Sequence, residues 1–421
     1  MQKTKRNMLL GLGAAGVAAF ALRPKDKGGA HNGYFKSLSA GLEDASVAQP
    51  SLLIDKARLH KNIDTLKKHI NGRFHFRVVA KSLPSVDLLR EVMVRANTER
   101  LMLFHQPFAN QVVKAFPDSD VLFGKPMPVA AARNFYQQLE GDFQPAQQMQ
   151  WLIDSPERLE QYQALAEYLG QPMRINIEID VGLHRGGVNS EADLLDMLKA
   201  IKASPLLSFS GLMGYEPHVV KLPGDAFSHR DKAMAEYQKY LDVAVNFFGE
   251  KDPSWTLNAA GSPTYQLYDE GEFPHNELAA GSCLVKPTDF DLPSLADHQA
   301  ASFIATPVIK ALPSTELPGV AALGKLMAWW NPNRERSFFT YGGYWKAHAE
   351  SPKGLSPNPV FGRSTNQEML NGSRSVELQA DDWVFLRPTQ SEFVFLQFGD
   401  IAVLENGKVS ERWPVFQQQA V

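Results

Sequence analysis

Eight short apolar segments alternate with amphipathic helical patterns, and this rhythm constrains the fold more than any other feature. The candidate strands lie near residues 75–81, 101–105, 120–124, 149–154, 173–180, 207–214, 254–260 and 277–285. Helical periodicity fills most of the gaps, as in Ser85 to Ala96, Pro156 to Leu169, Glu191 to Ala203 and Lys232 to Phe248. Another such stretch precedes the first strand, with Leu59, Ile63, Leu66 and Ile70 on one face. Pro156 after Asp154-Ser155 is a helix-start signal. Eight strand–helix units over about 235 residues predict an α/β fold, a (β/α)8 TIM barrel over residues 50–295. An open doubly wound sheet is the alternative, because a strand count does not show closure.

After residue 300 the pattern changes to prolines, glycines and short β-like runs: Phe338 to Tyr341, Trp383 to Leu386, Phe393 to Leu396 and Ile401 to Leu404. Asn406-Gly407 supplies a hairpin turn. Residues 300–421, together with 31–48, are therefore expected to form a smaller C-terminal β-domain. The net charge of −3 offers no argument for nucleic acid or an acidic membrane surface as partner. A single cysteine, Cys283, rules out a disulfide within the chain.

Residues 1–30 differ from the rest. Lys3, Lys5 and Arg6 precede the apolar run Met8 to Leu22, and Ala19-Phe20-Ala21 is a small-x-small cleavage candidate. Fifteen apolar residues fall short of the roughly 20 that span a bilayer, so the segment reads as an export signal, with a membrane anchor as the alternative. Thr4-Lys5-Arg6-Asn7-Met8-Leu9 is similar to a twin-arginine motif with Lys in the first basic position. An exported chain, periplasmic or attached to the inner membrane, is the expectation.

Function is read from the strand ends, since the C-terminal ends of barrel strands share one mouth. The first strand ends in Phe76-Arg77-Val78-Val79-Ala80-Lys81-Ser82 and delivers an amine there. Later ends carry Asp180 with Arg185, Tyr215 with His218, Gly261-Ser262 and Gly281-Ser282. Small Gly/Ser turns leave backbone N–H groups unshielded and suit a phosphate dianion. Ser262, Thr264 and Ser282 add hydroxyls, and Arg185 a cation.

Four segments together resemble the fold-type III pyridoxal-phosphate enzymes, the alanine racemase-like superfamily, in particular its D-threonine aldolase and D-serine dehydratase branch. Arg77-Val78-Val79-Ala80-Lys81-Ser82 is similar to that branch's Arg-Pro-His-x-Lys-Thr. Glu178-Ile179-Asp180-Val181-Gly182-Leu183-His184-Arg185-Gly186-Gly187 resembles Glu-x-Asp-x-Gly-Met-x-Arg-x-Gly. Gly211 to Tyr215 resembles the next strand. Gly261-Ser262-Pro263-Thr264 and Glu277 to Ser282 resemble the two phosphate-holding turns. The resemblance implies pyridoxal 5'-phosphate as cofactor, with Lys81 as the catalytic, Schiff-base lysine. It also implies Arg77, Arg185, Tyr215, Ser262, Thr264, Gly281 and Ser282 as cofactor-binding residues. The implied activity is a lyase acting on a small D-amino acid, in a homodimer. An amino-acid racemase and a non-catalytic barrel that still binds the cofactor remain alternatives.

One segment departs from the pattern. Where relatives carry Pro-Asn-His-x-Cys or -Asp and bind a divalent metal, this chain has Pro388-Thr389-Gln390-Ser391-Glu392. An amide and one carboxylate are a poor set for Zn²⁺, Mg²⁺ or Ca²⁺, so no metal is expected. The second acid–base group is left open among Glu392, His184, His218 and Tyr341.

Overall fold

The computed structural model describes residues 23–316 and 319–418. The apolar run at 8–22 and the cleavage candidate within it lie outside these residues. Among the described residues no helix is long and apolar enough to cross a membrane. The chain divides into two compact units. One holds the described residues up to 53, with 303–389 and 404–410; the other holds 54–302, 390–403 and the described residues from 411.

In the larger unit, eight parallel strands close into a barrel. Strand β1 (Ser51–Asp55) precedes it in sequence. The barrel strands are β2 (His75–Val79), β3 (Arg100–Leu103), β4 (Asp120–Phe123), β5 (Met149–Ile153), β6 (Met173–Glu178), β7 (Leu207–Met213), β8 (Thr256–Ala259) and β9 (Glu277–Ala280). Every expected strand is present, and β2 pairs with β9 to close the ring, Arg77 lying opposite Ala279. The helices start where their caps dictate. Ser85, Ser155 and Ser190 each accept a backbone N–H through the side chain. The helix expected from Lys232 begins earlier, at Ala226, because Asp225 caps it by accepting from the Ser228 N–H. Leu59, Ile63, Leu66 and Ile70 of helix Lys56–Ile70 are all buried, as their spacing requires.

The barrel interior is more polar than the apolar strand pattern suggests. Arg77, fully buried, donates from Nε to Glu277 Oε1 (2.5 Å) and from Nη2 to Asp120 Oδ1 (2.6 Å). Its Nη1 donates to the carbonyls of Leu101 and Asp120. Arg100 donates to Glu277 Oε2 and Asn258 to Glu277 Oε1, while Gln150 donates to Thr256. Burial alone would lower the Arg77 pKa, but Glu277 and Asp120 reverse this and hold it raised. Glu277 and Asp120 begin their strands, so the Arg77 head points toward the N-terminal end of the barrel. This corrects the expectation that Arg77 binds the cofactor: its donors are spent closing the barrel.

The smaller unit carries strands β10 (Ser302–Leu312), β11 (Arg336–Tyr341), β12 (Ala347–Ser351), β13 (Ser356–Pro357), β14 (Gln367–Gly372) and β15 (Trp383–Pro388). They pair antiparallel around β10, which takes β11 on one side and β15 along its first half. Helix Gly33–Asp44 packs here through Phe35, whose ring lies 5.4 Å from Phe303 and 5.0 Å from Phe385. Strands β16 (Asp400–Glu405) and β17 (Lys408–Pro414) complete a nine-stranded sheet with β1. Asn406 and Gly407, at φ 51° and 76°, form the hairpin turn between them.

Two details differ from the sequence reading. Phe393 to Leu396 is not a strand: Ser391–Phe395 is one turn of helix, with Phe393 exposed and Val394 and Phe395 buried. β-propensity yields to this burial pattern, which has no period of two. Accordingly 390–403 and 411 onward group with the barrel, not with the expected 300–421 block.

Arg77→Met would leave Glu277, fully buried, and Asp120, half-buried, as undercompensated carboxylates. A loss of about 3–5 kcal/mol is expected from urea titration, far more than a surface Arg such as Arg158 would give.

Candidate active site

Two hollows lie at opposite ends of the barrel strands. The larger, about 980 Å³, is at the N-terminal end, lined by Phe74, His75, Arg100 and Asp120 among others. The smaller, about 120 Å³, is at the C-terminal mouth and collects six of the residues singled out above. Lys81, Arg185, Tyr215, Ser262, Ser282 and Glu392 line it, with Phe104, Gly261 and Ala280.

Lys81 sits one step beyond where the sequence suggests. β2 ends at Val79, and Ala80–Ser82 is a 3₁₀ turn that lifts the lysine off the strand. Its Nζ lies 4.5 Å from the centre of the Phe104 ring and 3.1 Å from Glu392 Oε1. Both partners of this ion pair are about two-fifths exposed, so it contributes little to stability.

The two turns face each other beside it. Ser262 Oγ accepts the N–H groups of Gly281 (3.1 Å) and Cys283 (3.2 Å), which leaves its own proton to donate. Ser282 Oγ is 2.8 Å from Ser82 Oγ. Gly281, expected to bind the cofactor, is a correction too: it does not line the cavity. A Cβ there would come within 2.6 Å of the Val79 carbonyl, so the residue permits β9 to approach the turn that carries Lys81. A Cβ on Gly261 would meet Tyr215 Cε2 at 2.7 Å. Beyond Ala280 the expected strand 277–285 becomes the short helix Ser282–Val285.

Thr264 requires a correction. Its hydroxyl donates to Glu216 Oε1 (2.8 Å) and accepts from the Gly261 N–H (3.1 Å), so it braces the turn and is not offered to a ligand. Glu216 was not anticipated from sequence. It is fully buried and also accepts from the N–H of Ala260 (3.1 Å), a residue held at φ 63° where side chains rarely go. Burial raises the Glu216 pKa against the lowering by Thr264. A carboxyl directly after a strand-end tyrosine was the available signal.

Arg185 lies with its guanidinium 5.0 Å from the centre of the Tyr215 ring. Burial pushes the Tyr215 phenol up to about 12, with Glu216 adding to the effect and Arg185 opposing it. Asp180 bonds His184 (Oδ2 to Nδ1, 2.7 Å) and the Gly182 N–H. His184 itself is largely exposed. His218 Nε2 is 3.4 Å from where a Gly182 Cβ would stand. Tyr341, half exposed, ends β11 of the smaller unit. Of the four acid–base candidates, Glu392 lines the cavity with Lys81.

Glu178, nearly buried at the end of β6, has its carboxyl pushed up to about 7 by burial; Arg185 partly offsets this, while Asp154 and Asp180 reinforce it. Between pH 4.5 and 7 the folded chain keeps a proton that the unfolded chain has released. Stability therefore falls as pH rises through that window. Glu178→Gln is expected to flatten the urea midpoint between about pH 5 and 8, with the gain over wild type appearing above neutrality.

Comparison with known proteins agrees with this geometry. Residues 54–288 match the family model described as alanine racemase, N-terminal domain. A 3-hydroxy-D-aspartate aldolase of Paracoccus denitrificans (strain Pd 1222) is 25% identical over 142 residues, 33% of this chain and 35% of that protein. The chain thus spans about a third of the length of the curated relative it matches. Among solved structures, D-threonine aldolase from Filomicrobium marinum superposes with a TM-score of 0.68 at 15% identity, over 88% of this chain and 97% of the other. D-threo-3-hydroxyaspartate dehydratase from Delftia sp. HT23 gives 0.68 at 14%, over 94% and 100%. Alanine racemase from Bacillus anthracis gives 0.65 at 15%, over 87% and 98%. At these identities the structural matches establish a shared fold.

Proposed function

The chain belongs to the alanine racemase N-terminal domain family, and from that premise we propose that it is a pyridoxal-phosphate-dependent lyase acting on a small D-β-hydroxy amino acid. The observation that carries this reading is the pairing of Lys81 with Glu392 inside a cavity also walled by Ser262, Ser282 and Arg185. Supporting it are the names of the relatives, which include two aldolases and a dehydratase.

The donor set fits the cofactor. Lys81 offers an amine for its aldehyde, Arg185 a cation for its phenolate oxygen, and Ser262 and Ser282 hydroxyls for its phosphate. Gly261 keeps the cradle open, since a side chain there would collide with Tyr215. When bound, pyridoxal phosphate withdraws electrons from the Cα of an amino acid attached to it. The protein then selects the bond by orientation and by where it keeps a proton.

Lys81 Nζ and Glu392 Oε1 are in proton-transfer reach. In cleavage between Cα and Cβ, a base must take the proton of the β-hydroxyl. In loss of water, an acid must supply one to that oxygen. The proposal assigns either task to Glu392, with Lys81 as the group that exchanges protons with it. The chain's own residues do not favour a divalent metal at this position. Its acid faces a lysine, and its neighbour Gln390 is an amide.

The first experiment is a visible spectrum of protein loaded with pyridoxal phosphate, before and after borohydride, with peptide mapping of the reduced adduct. A chromophore fixed on Lys81 and absent in Lys81→Ala is expected; its absence from folded protein would remove the assignment. Glu392→Gln should keep the chromophore and lose roughly a hundredfold in kcat on D-threonine or D-3-hydroxyaspartate. Turnover should survive a chelator. Interconversion of D- and L-alanine without cleavage would make the chain a racemase, and a stable chromophore with no turnover would make it a binding protein.

A further inference from the structure

Among the described residues, three charged side chains line the cavity at the C-terminal mouth: Lys81, Arg185 and Glu392. Both cations are already matched. Lys81 Nζ lies 3.1 Å from Glu392 Oε1, and the proposed function gives Arg185 to the cofactor's phenolate oxygen. The carboxylate is felt across the cavity. After burial and Glu216, and against Arg185, Glu392 is among the groups that hold the Tyr215 phenol up.

Ionic groups behind the lining do not reverse this balance. Glu178 lies close enough to Arg185 to feel its charge, and Glu216 follows Tyr215 in the chain. Asp289 and Asp291 flank Phe290, which is part of the lining. On the basic side, Lys286 donates to the Leu295 and His298 carbonyls. Lys125 follows Gly124 but does not line the cavity; next to burial, its charge is what lowers the His105 pKa. The wall beside the lysine is apolar. The Phe104 ring lies 4.5 Å from Lys81 Nζ. A Cβ on Gly124 would collide with that ring and with Met102 Sδ (2.7 Å), so the three are closely packed.

A substrate with a carboxylate in its side chain would bring an anion to a cavity whose cations are already matched. Under the proposed function Glu392 acts on the β-hydroxyl, so the other substituents of that carbon are the groups nearest its charge. Like charges so placed repel, and in a partly desolvated site they are screened less than in water. Resting on the lyase reading, we propose that Glu392 is also a specificity-determining residue. With the apolar wall of Met102, Phe104 and Phe290, it restricts the substrate to D-β-hydroxy amino acids whose side chain is uncharged and turns hydroxyaspartate-type substrates away.

The test reads binding on the full chain loaded with pyridoxal phosphate. D-Asparagine and D-aspartate are close in size, differ by one charge and lack the β-hydroxyl on which cleavage or dehydration acts. Each is titrated to equilibrium through the shift it causes in the cofactor's absorbance, with wild type and with Glu392→Gln. The variant keeps the size of the side chain and removes its charge, and its retained chromophore is the folding control. The ratio of the D-aspartate to the D-asparagine dissociation constant is expected to fall about tenfold in the variant. Differences intrinsic to the two ligands, such as the basicity of their amines, are the same in both titrations and cancel. In turnover, wild type should favour D-threonine over D-threo-3-hydroxyaspartate in kcat/KM by a similar factor. An unchanged ratio in the variant, or a wild-type preference for hydroxyaspartate, would overturn this proposal alone, with the lyase reading intact. Failure of the lyase reading shows differently, as no chromophore on Lys81 or no turnover of either β-hydroxy substrate, and it removes this proposal as well.

Discussion

The Arg77 guanidinium holds the larger unit together. It is buried on β2 and reaches Glu277 on β9, Asp120 on β4 and the Leu101 carbonyl on β3. The β2–β9 seam is where the ring closes, so one cation joins the first and last strands of the barrel. Buried ion pairs of this kind contribute less to net stability than their Coulomb attraction suggests, because both partners are desolvated. What they enforce is register, since any slip of β2 against β9 would leave a charge unpaired. Lys81, four residues along the same chain, inherits that register.

The barrel therefore separates its labour along the strand axis. At the N-terminal end the charged groups neutralise one another, and the large hollow there is lined by side chains such as Asp120 that serve the ion network. At the C-terminal mouth the polar groups face a cavity. Ser262 accepts two N–H groups and still has a proton to donate, and Arg185 lies over an aromatic ring. Glu216 belongs to neither set. It holds Ala260 in a left-handed conformation and anchors Thr264, and so fixes the shape of the first phosphate-type turn from behind.

The fold was largely legible because strand–helix alternation and capping are local properties. Helices Pro156–Leu169 and Glu191–Ala203 begin and end where periodicity and serine caps place them. What the sequence did not reveal depends on where a side chain points along a strand. Arg77 and Lys81 stand four residues apart in one motif, yet one turns to the N-terminal end and the other to the mouth. The same holds for Thr264, whose hydroxyl served equally well, on sequence grounds, as a ligand donor or as a brace. Phe393 to Leu396 misleads for another reason: its composition favours a strand, while burial of alternate helical faces decides the matter.

Glu392 illustrates how such an override acquires chemical meaning. Its segment leaves the smaller unit after residue 389 and returns to it at 404, and in between it contributes one helical turn to the barrel unit. As a strand, that segment would present successive side chains to opposite faces. As a helix turn beginning at Ser391, it buries Val394 and Phe395 and leaves Glu392 directed at Lys81. Under the proposed function, that carboxylate would be the second acid–base group, in the segment where Gln390 stands for the histidine of the resembled motif.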